Sequence, residues 1–191
     1  MDEVFNNLSE IIKSRRSVKP FMMNGNKILT EQIQELLELA NWAPTHGMTQ
    51  PWRFVVYATA SDFTRQHAEL YKQDTPATEF IQGRYDNFYT QGDKVSHAIV
   101  AIMQRGDLPK IPAFEEISAA AAAIQNILIG ATALNIASFW STGGMMLKPA
   151  MHNFFNLRDE DLIMGVIYLG YADEYPKGVR KATISEKVEW R

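Results

Sequence analysis

The chain has 191 residues, with 46% hydrophobic and 21% charged residues, which is typical of one globular domain and excludes disordered or collagen-like classes. Its formal net charge of −3 is too small to indicate nucleic-acid binding. The chain lacks cysteine, which excludes disulfides, a thiolate nucleophile and any cysteine-based zinc or iron–sulfur site. We therefore expect a cytoplasmic protein with one domain over residues 1–191.

Two helices are predicted in the N-terminal part of the chain. Apolar residues at three- and four-residue spacing in 8–12 indicate an amphipathic helix that ends near Arg15 and Arg16. Acidic residues precede basic ones here, so we expect no secretory signal. Thr30 is the expected N-cap of a second helix, which must end before Pro44.

Four strands are predicted further along the chain. The runs 53–57 and 96–103 are rich in β-branched and apolar residues, and 137–142 and 162–171 supply two more. Between the first two strands, the polar and aromatic segment 61–94, here called the excursion, is expected to form two short helices outside the core. Because strands and helices do not alternate strictly, the pattern indicates an α+β fold.

The longest predicted helix covers 115–137 and is rich in alanine, and a short one is expected at 149–155. Residues 117–140 are apolar enough to consider a membrane span, but they contain several amide and hydroxyl side chains. We therefore expect a helix at the centre of a core or at a subunit interface, and no membrane contact. The tail after Gly170 is polar but ends in Val188 and Trp190, so we expect it to pack onto another surface.

No phosphate-binding loop, dinucleotide-binding turn, nucleophile elbow or HExxH motif is present. The four histidines are scattered without ligand spacing, so no metal site is expected. Such a chain can still catalyse redox chemistry when a cofactor brings the reactive atoms.

Two segments carry candidate binding groups. Ser14-Arg15-Arg16-Ser17 combines guanidinium and hydroxyl donors that suit a phosphate, although cations at a helix C-terminus also simply favour the helix dipole. The loop 41–54, NWAPTHGMTQPWRF, can present fixed polar groups to a flat heterocycle. The alternative is an ordinary connection with its two tryptophans in the core.

Together and in this order, these segments resemble the nitroreductase family of FMN-dependent oxidoreductases, in particular its shorter members. The shared pattern is a first helix ending in Arg-Arg-Ser, followed by an Ala-Pro loop that closes on Gln-Pro-Trp before a strand. IASFWSTGG at 136–144 is similar to the family's segment beside the isoalloxazine ring, and GVIYLGY at 165–171 to its last core strand. The resemblance implies a mostly antiparallel sheet flanked by helices, in a homodimer with exchanged C-terminal arms.

The resemblance also implies roles for individual residues. Arg15 and Ser17 would hold the FMN phosphate, and Arg16 would reach the phosphate, the ribityl chain or the pyrimidine edge. The flavin ring would lie against Trp140, Ser141 and Thr142 of one copy. A loop of the second copy would close the site with Trp42, His46, Thr49 and Gln50. Arg180 or Lys181 would add a second cation at the phosphate. Simple packing for Trp140 and an exposed loop position for His46 are the alternatives. Many relatives have a flavin-binding asparagine where this chain has Met48.

The activity that the resemblance implies is hydride transfer from NADH or NADPH through flavin N5 to a nitroaromatic, quinone or related small-molecule acceptor, in a ping-pong cycle. No side chain is expected to be an obligatory catalytic group. The excursion, with Phe80, Tyr85, Phe88 and Tyr89, is expected to be the lid that selects the acceptor, or else a plainly packed surface helix. A non-catalytic flavin-binding or sensory protein, dehalogenation and flavin fragmentation remain alternative functions.

Overall fold

A computed structural model describes residues 2–191. Its four strands form one antiparallel sheet in the order β1-β2-β4-β3, which confirms the predicted α+β class. The strands are β1 (Trp52–Tyr57), β2 (His97–Met103), β3 (Ala137–Ser141) and β4 (Leu162–Gly170), and the helices are α1 (Glu3–Ser14), α2 (Thr30–Asn41), α3 (Ala60–Asp74), α4 (Gln82–Thr90), α5 (Ala113–Ala133) and α6 (Pro149–Phe154). Short 3-10 helices lie at Pro20–Met22, His46–Met48 and Ile184–Lys187.

Both faces of the sheet are covered, which explains why β2 is apolar throughout. Ile99 and Ala101 pack with α2 and α5 on one face, and Ala98 and Val100 pack with α3, α4 and α6 on the other. All residues of β2 are buried. A central strand with two covered faces requires apolar residues at successive positions, and not at alternate ones.

Helix α5 crosses one face of the sheet in close contact with α2. A Cβ on Gly130 would lie 2.6 Å from a methyl carbon of Leu39, so a larger residue there would force the leucine side chain to shift. The helix ends earlier than predicted, because Asn135 adopts a positive φ of 56° and Ile136 donates its N–H to the Ala131 carbonyl at 2.7 Å. This arrangement is a Schellman motif with asparagine in the left-handed position.

Two other predictions, one of a helix start and one of helix length, were wrong. Leu29 is the N-cap of α2, and Thr30 is the first helical residue. The excursion contains one long helix, α3, and one short helix, α4, and not two short ones. The error in α3 arose because its polar exposed face obscured the buried positions around Phe63 and Tyr71, which pack on the sheet.

Apolar side chains remain exposed on α1 and on the C-terminal segment. Helix α1 buries none of its residues, although Phe5, Leu8 and Ile12 share one face. Trp190 is 92% exposed. In a single copy, the tail therefore does not cover its own apolar end.

Candidate functional site

The segment that follows α1 lies along the free edge of the sheet. Ser17 forms a parallel bridge with Ser138, and the Val18 N–H donates to the Ser138 carbonyl at 2.9 Å. Because β3 is an edge strand, this pairing brings Arg15, Arg16 and Ser17 beside the strand that leads to Trp140. The structure thus brings together two of the predicted groups of site residues.

The side chains of this segment alternate about the buried Val18. In extended backbone, alternate residues face the same side, so Ser17 and Lys19 share the side that Val18 does not occupy. Arg15 is half-buried at the end of α1, and its side chain forms no ion pair with any described carboxylate. The segment as a whole therefore carries a hydroxyl and two cationic groups suited to an anion.

Arg16 takes a different direction from its neighbours. Its guanidinium donates to the carbonyl oxygens of Lys13 at 2.7 Å and Arg15 at 2.9 Å. It also packs against Gly178, because a Cβ on Gly178 would lie 2.5 Å from the guanidinium carbon of Arg16. Arg16 therefore joins the end of α1 to the start of the tail that carries Arg180 and Lys181, both of which are exposed.

The Trp140 side chain lies at the surface and is held by the neighbouring strand. Its indole N–H donates to the Met164 carbonyl at 2.7 Å, and 37% of the residue is exposed. Gly165 permits this position, because a Cβ there would lie 2.6 Å from the Ser141 carbonyl oxygen and 2.7 Å from the Trp140 indole nitrogen. Simple core packing therefore does not describe Trp140.

A buried histidine accepts a hydrogen bond from the turn after β3. The Met145 N–H donates to Nε2 of His67 at 2.8 Å, and a Cβ on Gly144 would lie 2.4 Å from the same nitrogen. Burial lowers the pKa of His67 to about 4, so the ring is neutral at physiological pH and Nε2 can accept. The exposed Thr142 thus begins a turn whose far end is fixed.

The loop after α2 is held together by hydrogen bonds among its own polar groups. Thr45 Oγ1 accepts from the Gln50 N–H at 3.1 Å and lies 3.1 Å from Thr49 Oγ1. His46 Nδ1 lies 2.5 Å from a carboxylate oxygen of Glu115. Trp42 is 78% exposed, so the alternative that placed it in the core is wrong.

The two groups of candidate residues lie near opposite ends of α5. His46 meets Glu115 in the first turn, whereas Arg16 lines a cavity with Thr132 near the last turn. At about 1.5 Å per residue, the two ends are roughly 25 Å apart. One copy therefore does not bring its loop 42–50 to its own Arg15–Ser17 segment.

The aromatic residues of the excursion mainly contact one another. Phe88 lies 4.6 Å from the His67 ring, and Phe80 stacks on Tyr71 at 5.5 Å between ring centroids. The hydroxyl of Tyr85 donates to Glu69 at 2.5 Å, and this hydrogen bond is the main reason why the pKa of Tyr85 rises to about 12. Packing accounts for Phe80 and Phe88, and only Tyr89 is substantially exposed, at 38%.

Neither a metal site nor a membrane contact stands out. Among residues 2–191, no group of three or more histidine, aspartate or glutamate side chains could hold a metal ion. One helix, α5, is long and apolar enough for a span, and half of its apolar window is buried inside the protein. Burial against α2 and the sheet is what a core helix shows.

Three residues of the candidate site were not predicted from the sequence. Lys19 follows Ser17 at the spacing that keeps both on one side, so alternation could have identified it. Gly165 interrupts a β-branched strand, which is a signal of close approach. Glu115 is distant in sequence from His46, and no local pattern indicates their pairing.

The chain is similar to known proteins over nearly all of its length. The sequence model of the "Nitroreductase family" matches residues 12–171. YfhC of Bacillus subtilis, provisionally named an NAD(P)H nitroreductase, is 25% identical over 183 residues, which are 94% of this chain and 92% of YfhC.

Solved structures share the fold. A nitroreductase-like family protein from Bacillus cereus has a TM-score of 0.84 and 25% identity, with coverage of 96% of this chain and 95% of that one. The FMN-dependent nitroreductase NfnB of Mycobacterium smegmatis, solved with NADPH, has a TM-score of 0.72 and 16% identity, with coverage of 99% and 100%. Each structural alignment therefore covers nearly the whole length of both proteins.

Proposed function

Because this chain belongs to the nitroreductase family and is one of its NAD(P)H-dependent flavin oxidoreductases, we propose that it binds FMN and reduces nitroaromatic, quinone or related acceptors in the cytoplasm. The name of NfnB includes FMN dependence, and its structure holds NADPH. The observation that supports the proposal is the Ser17–Ser138 bridge, since it pairs the segment of Arg15 and Ser17 with the edge strand that contains Trp140.

The residues at this sheet edge fit the two chemical parts of FMN. Arg15, Ser17 and Lys19 offer cationic and hydroxyl donors for a phosphate, without a carboxylate partner among the described ion pairs. Trp140, Ser141 and Thr142 offer a flat apolar surface followed by an exposed turn. Substitution of Gly165 would displace this surface.

A second copy completes the site in this proposal. A two-fold axis through the middle of α5 would carry the loop with His46 to the Arg16 end of the other copy. The outward face of α5 includes Ser118, Ala121 and Gln125, and such short or uncharged side chains permit close contact between two copies. The exposed apolar residues of α1 and the tail then have a surface to cover, and Trp42, Thr49 and Gln50 reach the partner's cofactor.

When FMN is bound, it supplies the redox chemistry by accepting hydride from NAD(P)H and passing it to the acceptor. The protein's own residues bind the cofactor, orient it and leave one face open for the two substrates in turn. Arg16 and one of Arg180 and Lys181 contribute positive charge near the site, which favours the negative charge of a reduced flavin. We propose no side chain as an obligatory proton donor, and we assign acceptor selection to the exposed part of α4 around Tyr89.

Anaerobic stopped-flow measurement of the two half-reactions tests this mechanism. Tyr89→Phe should change acceptor reduction by about tenfold or less, since loss of a general acid typically costs ~10²–10⁴-fold. Its matched control is Tyr57→Phe in β1, at the opposite edge of the sheet from β3, at equal flavin content. A thousandfold loss of acceptor reduction in Tyr89→Phe alone, with hydride uptake intact, would show a dedicated proton donor in α4 and contradict the proposal.

A further inference from the structure

A buried histidine on α3 contacts both α4 and the turn after β3, residues 142–147. His67 is only 3% exposed, and its Nε2 accepts a hydrogen bond from the Met145 N–H at 2.8 Å. The ring also lies 4.6 Å from the ring of Phe88 on α4. One side chain of α3 therefore joins two segments that are distant in sequence.

The turn fits closely against this ring at a glycine. Gly144 has a positive φ of 67°, a conformation that favours glycine. A Cβ at this position would lie 2.4 Å from Nε2 of His67 and 3.0 Å from Cζ of Phe88. A side chain there would therefore push the turn away from both rings.

Packing alone does not explain a histidine at this position. An imidazole whose Nε2 accepts a hydrogen bond carries its proton on Nδ1. Nδ1 of His67 is buried and has no hydrogen-bond partner in the part of the chain that the structure describes. A buried polar group without a partner destabilises a fold, and an apolar ring beside Phe63 and Phe88 would avoid this cost. The acceptor at Nε2 is thus what a histidine contributes here.

Protonation of the ring would remove its contact with the turn. An imidazolium has a donor at each nitrogen, so Nε2–H of His67 would face the N–H of Met145. The titratable and charged groups on the surrounding elements are Tyr71, Asp74, Glu79, Arg84 and Lys148, which line a cavity beside Gly144 and Met145, and Tyr57 and Tyr168, whose rings contact Phe63. Burial alone lowers the pKa of His67, and no described carboxylate pairs with it.

We propose that His67 is a positioning residue that holds the turn after β3 against α3 and α4 only while its ring is neutral, so that acid releases the turn. A histidine whose pKa is lowered by folding stabilises the closed turn above its ordinary pKa of 6.5, and this contribution is lost as pH falls from there toward the folded pKa of about 4. The inference about the turn does not require a bound flavin. Only its consequence for the reaction rests on the proposed function, in which Thr142 lies beside the flavin ring.

Hydrogen exchange of the Met145 amide in the purified protein tests this inference. Between about pH 7.5 and about pH 5 its protection factor should fall about twentyfold, because the open turn takes up one proton on His67. In His67→Gln, a side-chain carbonyl can still accept from Met145 but does not titrate, so protection should persist without this pH dependence. His67→Phe should lose protection at both pH values. The control His152→Gln, on α6, should retain the pH dependence of the natural protein.

The amide of Val100 in β2 separates opening of the turn from global unfolding, and Met145 should exchange faster than Val100. Nitrogen NMR of the natural protein should show His67 with its only ring proton on Nδ1 at about pH 6. The inference is overturned by a Met145 protection factor that is independent of pH, that has the same pH dependence in His67→Gln, or that equals the protection factor of Val100. A His67 ring protonated on both nitrogens at about pH 6 would overturn it as well. None of these results depends on flavin binding, so failure of the proposed function would be seen separately in the absorption spectrum.

Discussion

The guanidinium of Arg105 forms an ion pair with the carboxylate of Glu116, whose side chain is only 2% exposed. The second carboxylate oxygen accepts from the Gly106 N–H at 3.1 Å, and Arg105 also donates to the Ile111 carbonyl at 3.0 Å. This pair ties the segment after β2 to the first turn of α5. A Cβ on Gly106 would lie 3.0 Å from Thr49, so the same segment supports the loop of the candidate site.

Replacing the buried carboxylate should destabilise the protein strongly. Glu116→Gln leaves the guanidinium of Arg105 without its counter-ion, and disruption of a buried pair costs about 3–5 kcal/mol. Chemical denaturation should measure this loss in the free energy of unfolding. Glu35→Gln, at an exposed position on α2, should change it by about 0.5 kcal/mol or less. Equal small effects in both variants would contradict the structural role of the pair.

Asp161 should make the stability depend on acidic pH. Burial opposes its ionisation, but hydrogen bonds from the Arg158 side chain and from the Arg105 and Arg158 backbone outweigh burial and hold its pKa below 3.8. A carboxyl whose pKa is lowered by folding stabilises the protein above its unfolded pKa, and this contribution is lost as pH falls through the folded pKa. The free energy of unfolding should therefore decrease below about pH 4.

Asp161→Asn should lower stability at neutral pH and reduce its decline in acid. The exposed neighbour Asp159 provides the control, since Asp159→Asn should leave the pH profile close to that of the natural protein. Denaturant titrations between about pH 3 and 7 measure both. An unchanged acid profile in Asp161→Asn would show that other carboxyls cause the decline.

The proposed phosphate-binding role of Arg15 predicts selectivity between two flavins. Arg15→Gln removes a charge-assisted contact of about 1.5–3 kcal/mol, so the dissociation constant for FMN should rise about tenfold or more. Riboflavin, which lacks the phosphate, should bind the variant and the natural protein equally. The control is Arg65→Gln on α3, whose guanidinium lies over the Tyr89 ring. A parallel loss of riboflavin binding would mean that Arg15 does not recognise the phosphate.

Removal of residues 180–191 should weaken both dimerisation and FMN binding. The deletion retains Gly178 against Arg16 but removes Arg180, Lys181 and the exposed Trp190. Sedimentation velocity and flavin titration measure the two effects.

A double variant, Arg180→Gln with Lys181→Gln, separates the two contributions of the tail. It should lower FMN affinity while the dimer persists, because it leaves the apolar residues in place. A shortened chain that stays dimeric with unchanged FMN affinity would show that the tail serves neither purpose.

The sequence predicted the strands well because their burial requires continuous runs of apolar residues, as in β2. It predicted the end of α5 poorly, because the left-handed Asn135 that ends the helix depends on backbone hydrogen bonds with no strong sequence signal. The Arg15–Ser17 segment was identified from residue type, whereas its partner Ser138 lies far along the chain. The pairing of His46 with Glu115 depends on the position of α5 and could not be predicted from local pattern.

The most direct measurement of the central claim is the visible absorption spectrum of the purified protein reconstituted with FMN, recorded anaerobically before and after addition of NADH or NADPH. We expect flavin bands that at least one nicotinamide bleaches, and that return when a quinone or nitroaromatic compound is added without oxygen. The Arg15→Gln variant at equal protein concentration should show weaker bands. A protein that binds no flavin, or a bound flavin that neither nicotinamide reduces, would contradict the assignment as an NAD(P)H-dependent flavin oxidoreductase.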